Sequence, residues 1–158
     1  MKLVFWTSFW IFLIDQASKY LIVQYLNLKN VGSIDVFPPF LNLRMAWNYG
    51  INFGLLGGAD APEFMRWIWV AVALVISALV VFWMKREKPG RWGYISAGLL
   101  VGGALGNTID RIIYGAVADF LNMSCCGLEN PYAFNVADIS IFAGAIGLIL
   151  FTGTKKTA

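Results

Sequence analysis

The sequence predicts an integral membrane protein, mainly α-helical: a bundle of four transmembrane helices with a small extracytoplasmic β-element and a short interfacial helix. Three observations carry that expectation. Of 158 residues, 59% are apolar and 13% charged, whereas a soluble domain carries about 25% charged residues. The mean hydropathy is +0.67. The apolar residues also collect into four blocks, each close to the roughly 20 residues that a spanning helix requires. Such a chain is no soluble enzyme, disordered tail or coiled coil. Its net charge of +3 comes from scattered basic residues rather than a stripe, so nucleic acid is not an expected partner.

Taken in order, the first span covers about 3–26 and is interrupted by Asp15, Gln16 and Lys19. Lys2 followed by Leu3–Ile14 imitates a secretory signal peptide. No A-x-A cleavage pattern follows, and the apolar pattern resumes at Tyr20–Val23, so a retained helix is expected. The 27–66 connection is too long for a bare connector. Within it Leu41, Leu43, Met45 and Trp47 alternate with Asn42, Arg44, Ala46 and Asn48, the period of a half-buried strand, and Pro38 and Pro39 break the chain before it. The short interfacial helix is expected around Glu63–Trp67. The second span, about 67–84, contains no charged residue. In the third, about 93–110, Gly98, Gly102 and Gly106 recur every four residues and let another helix approach closely. The fourth, about 134–151, is thinned in the same way by Ala143, Gly144 and Gly147, and the third and fourth spans are expected to pack through these small residues.

Basic residues orient this single membrane domain. With four spans, Lys2, Lys85, Arg86, Lys88, Arg91, Lys155 and Lys156, seven of the twelve, lie on one side. The positive-inside rule makes that side the cytoplasm. Both termini and the 85–92 loop are then cytoplasmic, and 27–66 and 111–133 face outward.

The chain has no histidine, which removes HExxH zinc sites and Ser-His or Cys-His catalysis. Cys125 and Cys126 are neighbours, too close for an unstrained disulfide and without further soft ligands. No metal and no cofactor is expected. An ionisable residue in a span costs about 2.5–3.5 kcal/mol on insertion scales, so each one needs a reason. Asp15 and Lys19, spaced i,i+4, can neutralise each other on one helix face. Asp110 and Arg111, at the outward end of the third span, can each be read simply as an interfacial charge reaching water. Asp119, just past the third span, and Asp138, near the start of the fourth, fall at one depth near the outer boundary. Two facing carboxylates there cannot both ionise cheaply. They share a proton, one acting as a base for water and the other as an acid. That is aspartic-peptidase chemistry. The plain alternative is two unrelated carboxylates, one capping a helix and one bonded to a neighbouring helix. Asn107 with Arg111, and Asn135 with Asp138, gather further polar groups at the same level.

Five blocks carry a family resemblance: Asp15-Gln16-Ala17-Ser18-Lys19, Asn48-Tyr49-Gly50-Ile51-Asn52-Phe53-Gly54, Gly103-Ala104-Leu105-Gly106-Asn107-Thr108-Ile109-Asp110-Arg111, Gly115-Ala116-Val117-Ala118-Asp119-Phe120 and Phe134-Asn135-Val136-Ala137-Asp138. In this order and spacing the chain resembles the lipoprotein signal peptidases, also called type II signal peptidases. The resemblance implies four transmembrane helices, an extracytoplasmic β-cradle and a short periplasmic helix in the bacterial inner membrane. It implies an aspartic endopeptidase that removes the signal peptide from a diacylglyceryl-modified prolipoprotein, cutting just before the lipidated Cys. It also implies Asp119 and Asp138 as the catalytic pair, and Asn48, Gly50, Asn107, Arg111 and Asn135 as residues lining the site or holding substrate. Asp15, Lys19 and Asp110 take supporting roles. The chain departs from the family pattern at Asn52, where a small residue is usual, and at Ile139, where Ser is common. The implied partners are the prolipoprotein and membrane lipid, and a monomer is expected.

Other readings use the same residues. A small ion or proton transporter or channel subunit would run its path through Asp15, Lys19 and Asp138, although the carboxylates cluster toward one side. A Ser-Lys peptidase would use Lys19 with Ser8 or Ser18. A presenilin-type aspartic protease needs a G-x-G-D block, which the chain lacks. A non-catalytic assembly protein leaves the polar clustering without a purpose.

Overall fold

The computed structural model describes residues 1–50 and 62–152. Asn52, with the rest of the Ile51–Gly54 stretch, and Lys155 and Lys156 lie outside the described residues.

Helix α1 (Lys2–Lys19) runs on into a π-helical stretch, Tyr20–Tyr25, and is followed by the short α2 (Leu28–Val31). Strands β1 (Ser33–Phe37) and β2 (Leu41–Asn48) come next, then the long helices α3 (Phe64–Glu87) and α4 (Arg91–Tyr114). Strand β3 (Val117–Asn122) and helix α5 (Val136–Thr152) complete the order. Among the described residues, α3 is the one helix long and apolar enough to cross a membrane by length and composition alone, and α5 is apolar but shorter. At 1.5 Å per residue α3 is about 36 Å long, enough for a hydrocarbon core of about 30 Å. It stops at Lys88, whose left-handed φ of 48° precedes Pro89. Helix α4 stops at Gly115, φ 80°, a conformation that glycine takes without strain.

The expected interfacial helix around Glu63–Trp67 is not a separate element. Glu63 is the N-cap of α3 and Phe64–Trp67 is its first turn. No glycine or proline interrupts 64–87, so the turn propagates into the long helix. The strand expected over 41–47 is present as β2, the centre of an antiparallel sheet of order β1-β2-β3.

Helix α4 lies in the middle, packed against α1, α3 and α5. Its buried face is made of small and polar residues, with Val101 the one large aliphatic member. Close approach therefore replaces interlocking bulk. The partner of Gly98, Gly102 and Gly106 differs from the expected one, whereas Gly144 and Gly147 pack on α4 as expected. Gly98, Gly102 and Gly106 face α1: a Cβ on Gly102 would lie 2.7 Å from the Ser8 carbonyl oxygen, and one on Gly106 would lie 2.5 Å from an Asp15 carboxylate oxygen. Contact with α5 runs instead through Gly103, against Ser140 and Ala137, and through Gly144 and Gly147, against Leu100 and Ser96 of α4. A helix offers several faces about 100° apart per residue, and four-residue spacing marks a close approach without naming the neighbour.

Outward faces of all four long helices carry large apolar side chains in the open, among them Phe5, Trp10, Leu79, Ile113 and Ile149. In α1 the rings of Phe5, Trp6, Phe9 and Trp10 pack edge to face in succession. Exposed apolar surface of this extent suits lipid and not water.

Leu in place of Gly102 collides with the α1 backbone at Ser8. Gly102→Leu is expected to cost about 1–3 kcal/mol or more by overpacking, read as a lower unfolding temperature in detergent. An unchanged temperature would place the α1 contact elsewhere.

Candidate active site

Asp138 sits in the first turn of α5 because Asn135 starts that helix. The Asn135 side-chain oxygen accepts the Asp138 backbone N–H at 2.9 Å, and an Asp138 carboxylate oxygen accepts the Asn135 backbone N–H at 3.1 Å. This reciprocal capping box satisfies two N–H groups that the helix leaves open. The Asn135 amide also donates to Asp119 Oδ1 at 2.7 Å and to Asn107 Oδ1 at 3.1 Å. One asparagine thus joins both carboxylates. Asn107 Nδ2 donates to Asp138 Oδ1 at 2.9 Å.

Asp119 arrives from the sheet. A register shift of one residue lies between Leu43 and Ala46 of β2, so that Ala46 pairs with Asp119. Asn48, two residues further along β2, then falls on the Asp119 side of the pleat. Its Nδ2 donates to Asp119 Oδ2 at 3.1 Å. Strict alternation, by contrast, grouped Asn48 with Arg44 and left Trp47 inside. The observed order is reversed: Asn48 is buried and Trp47 exposed. Gly50 N–H donates to Asn48 Oδ1, and Arg111 Nη2 donates to the Gly50 carbonyl at 2.7 Å, which ties this end of the sheet to α4.

Behind Asn107 lies a buried charge cluster. Lys19 Nζ is 2.8 Å from Asp15 Oδ2 and 2.8 Å from Asp110 Oδ2, and donates to Asn107 Oδ1 at 3.1 Å. The neutralising pair Asp15–Lys19 is therefore present, with a third member. Asp110 is 1% exposed, so it is not an interfacial charge reaching water. The turn of α4 that carries it faces Lys19 and the Ala118 N–H, which donates to Asp110 Oδ2. Asp15 also accepts the Ala137 N–H at the start of α5. Gln16, which the sequence shows as an interruption of the first span and a member of the first motif block but to which it assigns no role, donates to Asp15, Asp110 and the Gly106 carbonyl. Its place between Asp15 and Lys19 was the available signal. Strand β3 was also missed, since Val117–Asn122 follows a helix without turn residues beyond Gly115.

The Ser-Lys alternative loses its geometry. Ser8 donates to the Gly98 carbonyl and Ser18 to the Asp15 carbonyl, while Lys19 Nζ is engaged by the carboxylates of Asp15 and Asp110 and by neither serine. Cys125 and Cys126 are exposed free thiols. Among the described residues no group of three or more His, Cys, Asp or Glu is placed to hold a metal ion.

Burial pushes the Asp119 carboxyl up to about 7, with the Asp138 charge adding to the rise and Asn48, Lys19 and Asn135 opposing it. Asp119 is 3% exposed, so water does little to stabilise its charge. A carboxyl raised from 3.8 to about 7 on folding makes the native state bind the extra proton. Stability is lost as pH rises through that window. The unfolding temperature of Asp119→Asn relative to the unsubstituted protein should therefore climb between pH 5 and pH 8. A flat difference would mean that Asp119 holds no proton there. Lys19→Met should destabilise by about 3–5 kcal/mol in chemical denaturation, because it strands two buried carboxylates. A loss below 1 kcal/mol would mean that the cluster is not buried in solution.

The described site can be set beside known proteins. A family profile described as Signal peptidase (SPase) II matches residues 7–153. A protein of Vibrio parahaemolyticus named lipoprotein signal peptidase is 35% identical, over 96% of this chain and 88% of its own. Proteins with the same name from Tolumonas auensis and Methylobacterium sp. are 38% and 40% identical, covering 97% and 88% of this chain and 91% and 81% of theirs. Two solved structures, each described as a bacterial membrane enzyme, superpose with a TM-score of 0.79 at 28% identity. They cover 95% and 99% of this chain and 87% and 96% of their own. The profile and the relatives extend over almost all of α1–α5, and the chain belongs to the signal peptidase II family of peptidases.

Proposed function

We propose that this chain is an intramembrane aspartic endopeptidase of the bacterial inner membrane. It removes the signal peptide from diacylglyceryl-modified prolipoproteins, cutting just before the lipidated Cys. The carrying observation is the meeting of Asp119 and Asp138, from a strand and a helix far apart in sequence, on the single amide and backbone of Asn135. Family membership supplies the reaction class, and the residues present suit one that uses only carboxylates and water.

In this reading α1, α3, α4 and α5 all cross the bilayer, both termini and the 85–92 loop are cytoplasmic, and the pair lies near the outer face. A lipidated precursor is held in the bilayer by its acyl chains, so the scissile bond and water meet at that boundary. One carboxylate of the pair removes a proton from water as it attacks the scissile carbonyl, and the other protonates the carbonyl oxygen. Collapse of the tetrahedral species breaks the C–N bond as the amine takes a proton. Arg111 and the Asn48–Gly50 turn border the pair and hold the substrate backbone. The three-stranded sheet rests over it from outside.

The test is digestion of a diacylglyceryl-modified precursor by purified protein in detergent. Asp119→Asn and Asp138→Asn should each lower cleavage by about 100- to 10,000-fold while the protein stays folded. Cleavage that persists in either variant would remove the pair from the mechanism. Ion flux in liposomes without cleavage would favour the transporter reading.

A further inference from the structure

Although the two carboxylates meet on Asn135, their surroundings are unequal. Asp138 lies in the first turn of the 17-residue α5 and accepts two N–H groups, from the Asn135 backbone and from Asn107 Nδ2. Negative charge is favoured at that end of a helix. The Asn107 donor is also fixed in direction. Its Oδ1 accepts from the Lys19 ammonium and from Asn135 Nδ2, so the amide nitrogen has only the Asp138 side left. Lys19 cannot turn away, because Asp15 and Asp110 hold it at 2.8 Å each. Asp119 has no helix end beneath it. It lies in β3 and accepts from two neutral side-chain amides, those of Asn48 and Asn135.

We infer that the proton of the pair resides on Asp119 and the charge on Asp138, and that Lys19 is a positioning residue that keeps it so by holding the Asn107 amide toward Asp138. This division of labour rests on the aspartic-peptidase reading. Asp138 then takes a proton from water while the water oxygen bonds to the scissile carbon, and Asp119 gives its proton to the carbonyl oxygen. On collapse Asp138 passes its proton to the leaving nitrogen, the C–N bond breaks, and Asp119 recovers a proton from the gem-diol hydroxyl. Both carboxyls return to their starting states, and one water is consumed. The charged groups around the pair are Lys19 and Asp15 of α1 and Asp110 and Arg111 of α4.

Infrared spectroscopy of protein labelled with carbon-13 aspartate, at pH 6 and without substrate, reads the proton directly. The protonated-carboxyl signal of the pair should vanish in Asp119→Asn and remain in Asp138→Asn, both isosteric changes. The opposite pattern, or loss in both, overturns the assignment and leaves the peptidase reading intact; only persistent cleavage in those variants sinks that reading. The positioning role is read in kinetics. Lys19→Met combined with Asp110→Asn keeps the net charge of the cluster and should lower kcat about 10- to 100-fold, the worth of one hydrogen bond to a charged group, with KM unchanged. Lys19→Arg should restore kcat to within about threefold of the unsubstituted enzyme. A KM effect without a kcat effect, or Lys19→Arg as slow as the double variant, would overturn it. If the double variant does not fold, Lys19→Arg decides alone: a kcat more than about tenfold down at an unchanged unfolding temperature refutes the role.

Discussion

Every buried charge has to bring its neutralisation with it, and in this chain Lys19 is where that happens. Its ammonium sits between Asp15 of its own helix and Asp110 of α4, and it reaches Asn107 as well. Stranding any member of such a buried set costs several kcal/mol, so α1 and α4 are locked in rotation and depth. Asp15 extends the lock to α5 through the Ala137 N–H. Three helices are thereby registered by one cluster, and the polar groups around Asp119 and Asp138 inherit that register.

The cluster can form only because the helices come unusually near one another. Gly106 leaves room for the Asp15 carboxylate, and Gly98 and Gly102 let the backbone of α1 lie against α4. On the other side of α4, Gly103 does the same for α5. In lipid there is little hydrophobic gain from associating helices, so small residues and interhelical hydrogen bonds have to hold them. Packing and polarity are here one device: the glycines make the distances short, and the buried hydrogen bonds make the short distances stable.

The sheet adds what a helical bundle alone does not provide. Strand β3 brings Asp119 back toward α5, and the one-residue shift in β2 brings Asn48 to Asp119. A carboxyl so enclosed, 3% exposed, keeps its proton far above the ordinary range. Asp138 differs in its donors, a backbone N–H at the start of α5 and the Asn107 amide.

Much of this was legible in the sequence for simple physical reasons. Composition and hydropathy point to lipid as the solvent, and the i,i+4 spacing of Asp15 and Lys19 allows them to pair. The alternation over 41–48 marks a strand, and the five motif blocks mark the family. Sequence alone left open which neighbour each surface meets. Four-residue spacing of glycines does not say that α1, rather than α5, is the partner. The burial of Asp110 depends on Lys19, 91 residues away, and no local pattern carries that distance. Alternation cannot foresee a bulge, because one extra residue exchanges the two faces of a strand, and so Asn48 reads as outward until the pairing of β2 with β3 is known. Residue chemistry and local periodicity fixed which groups had to be neutralised or buried. The tertiary structure decided against what, because the energy of a buried charge is set by the partner it finds.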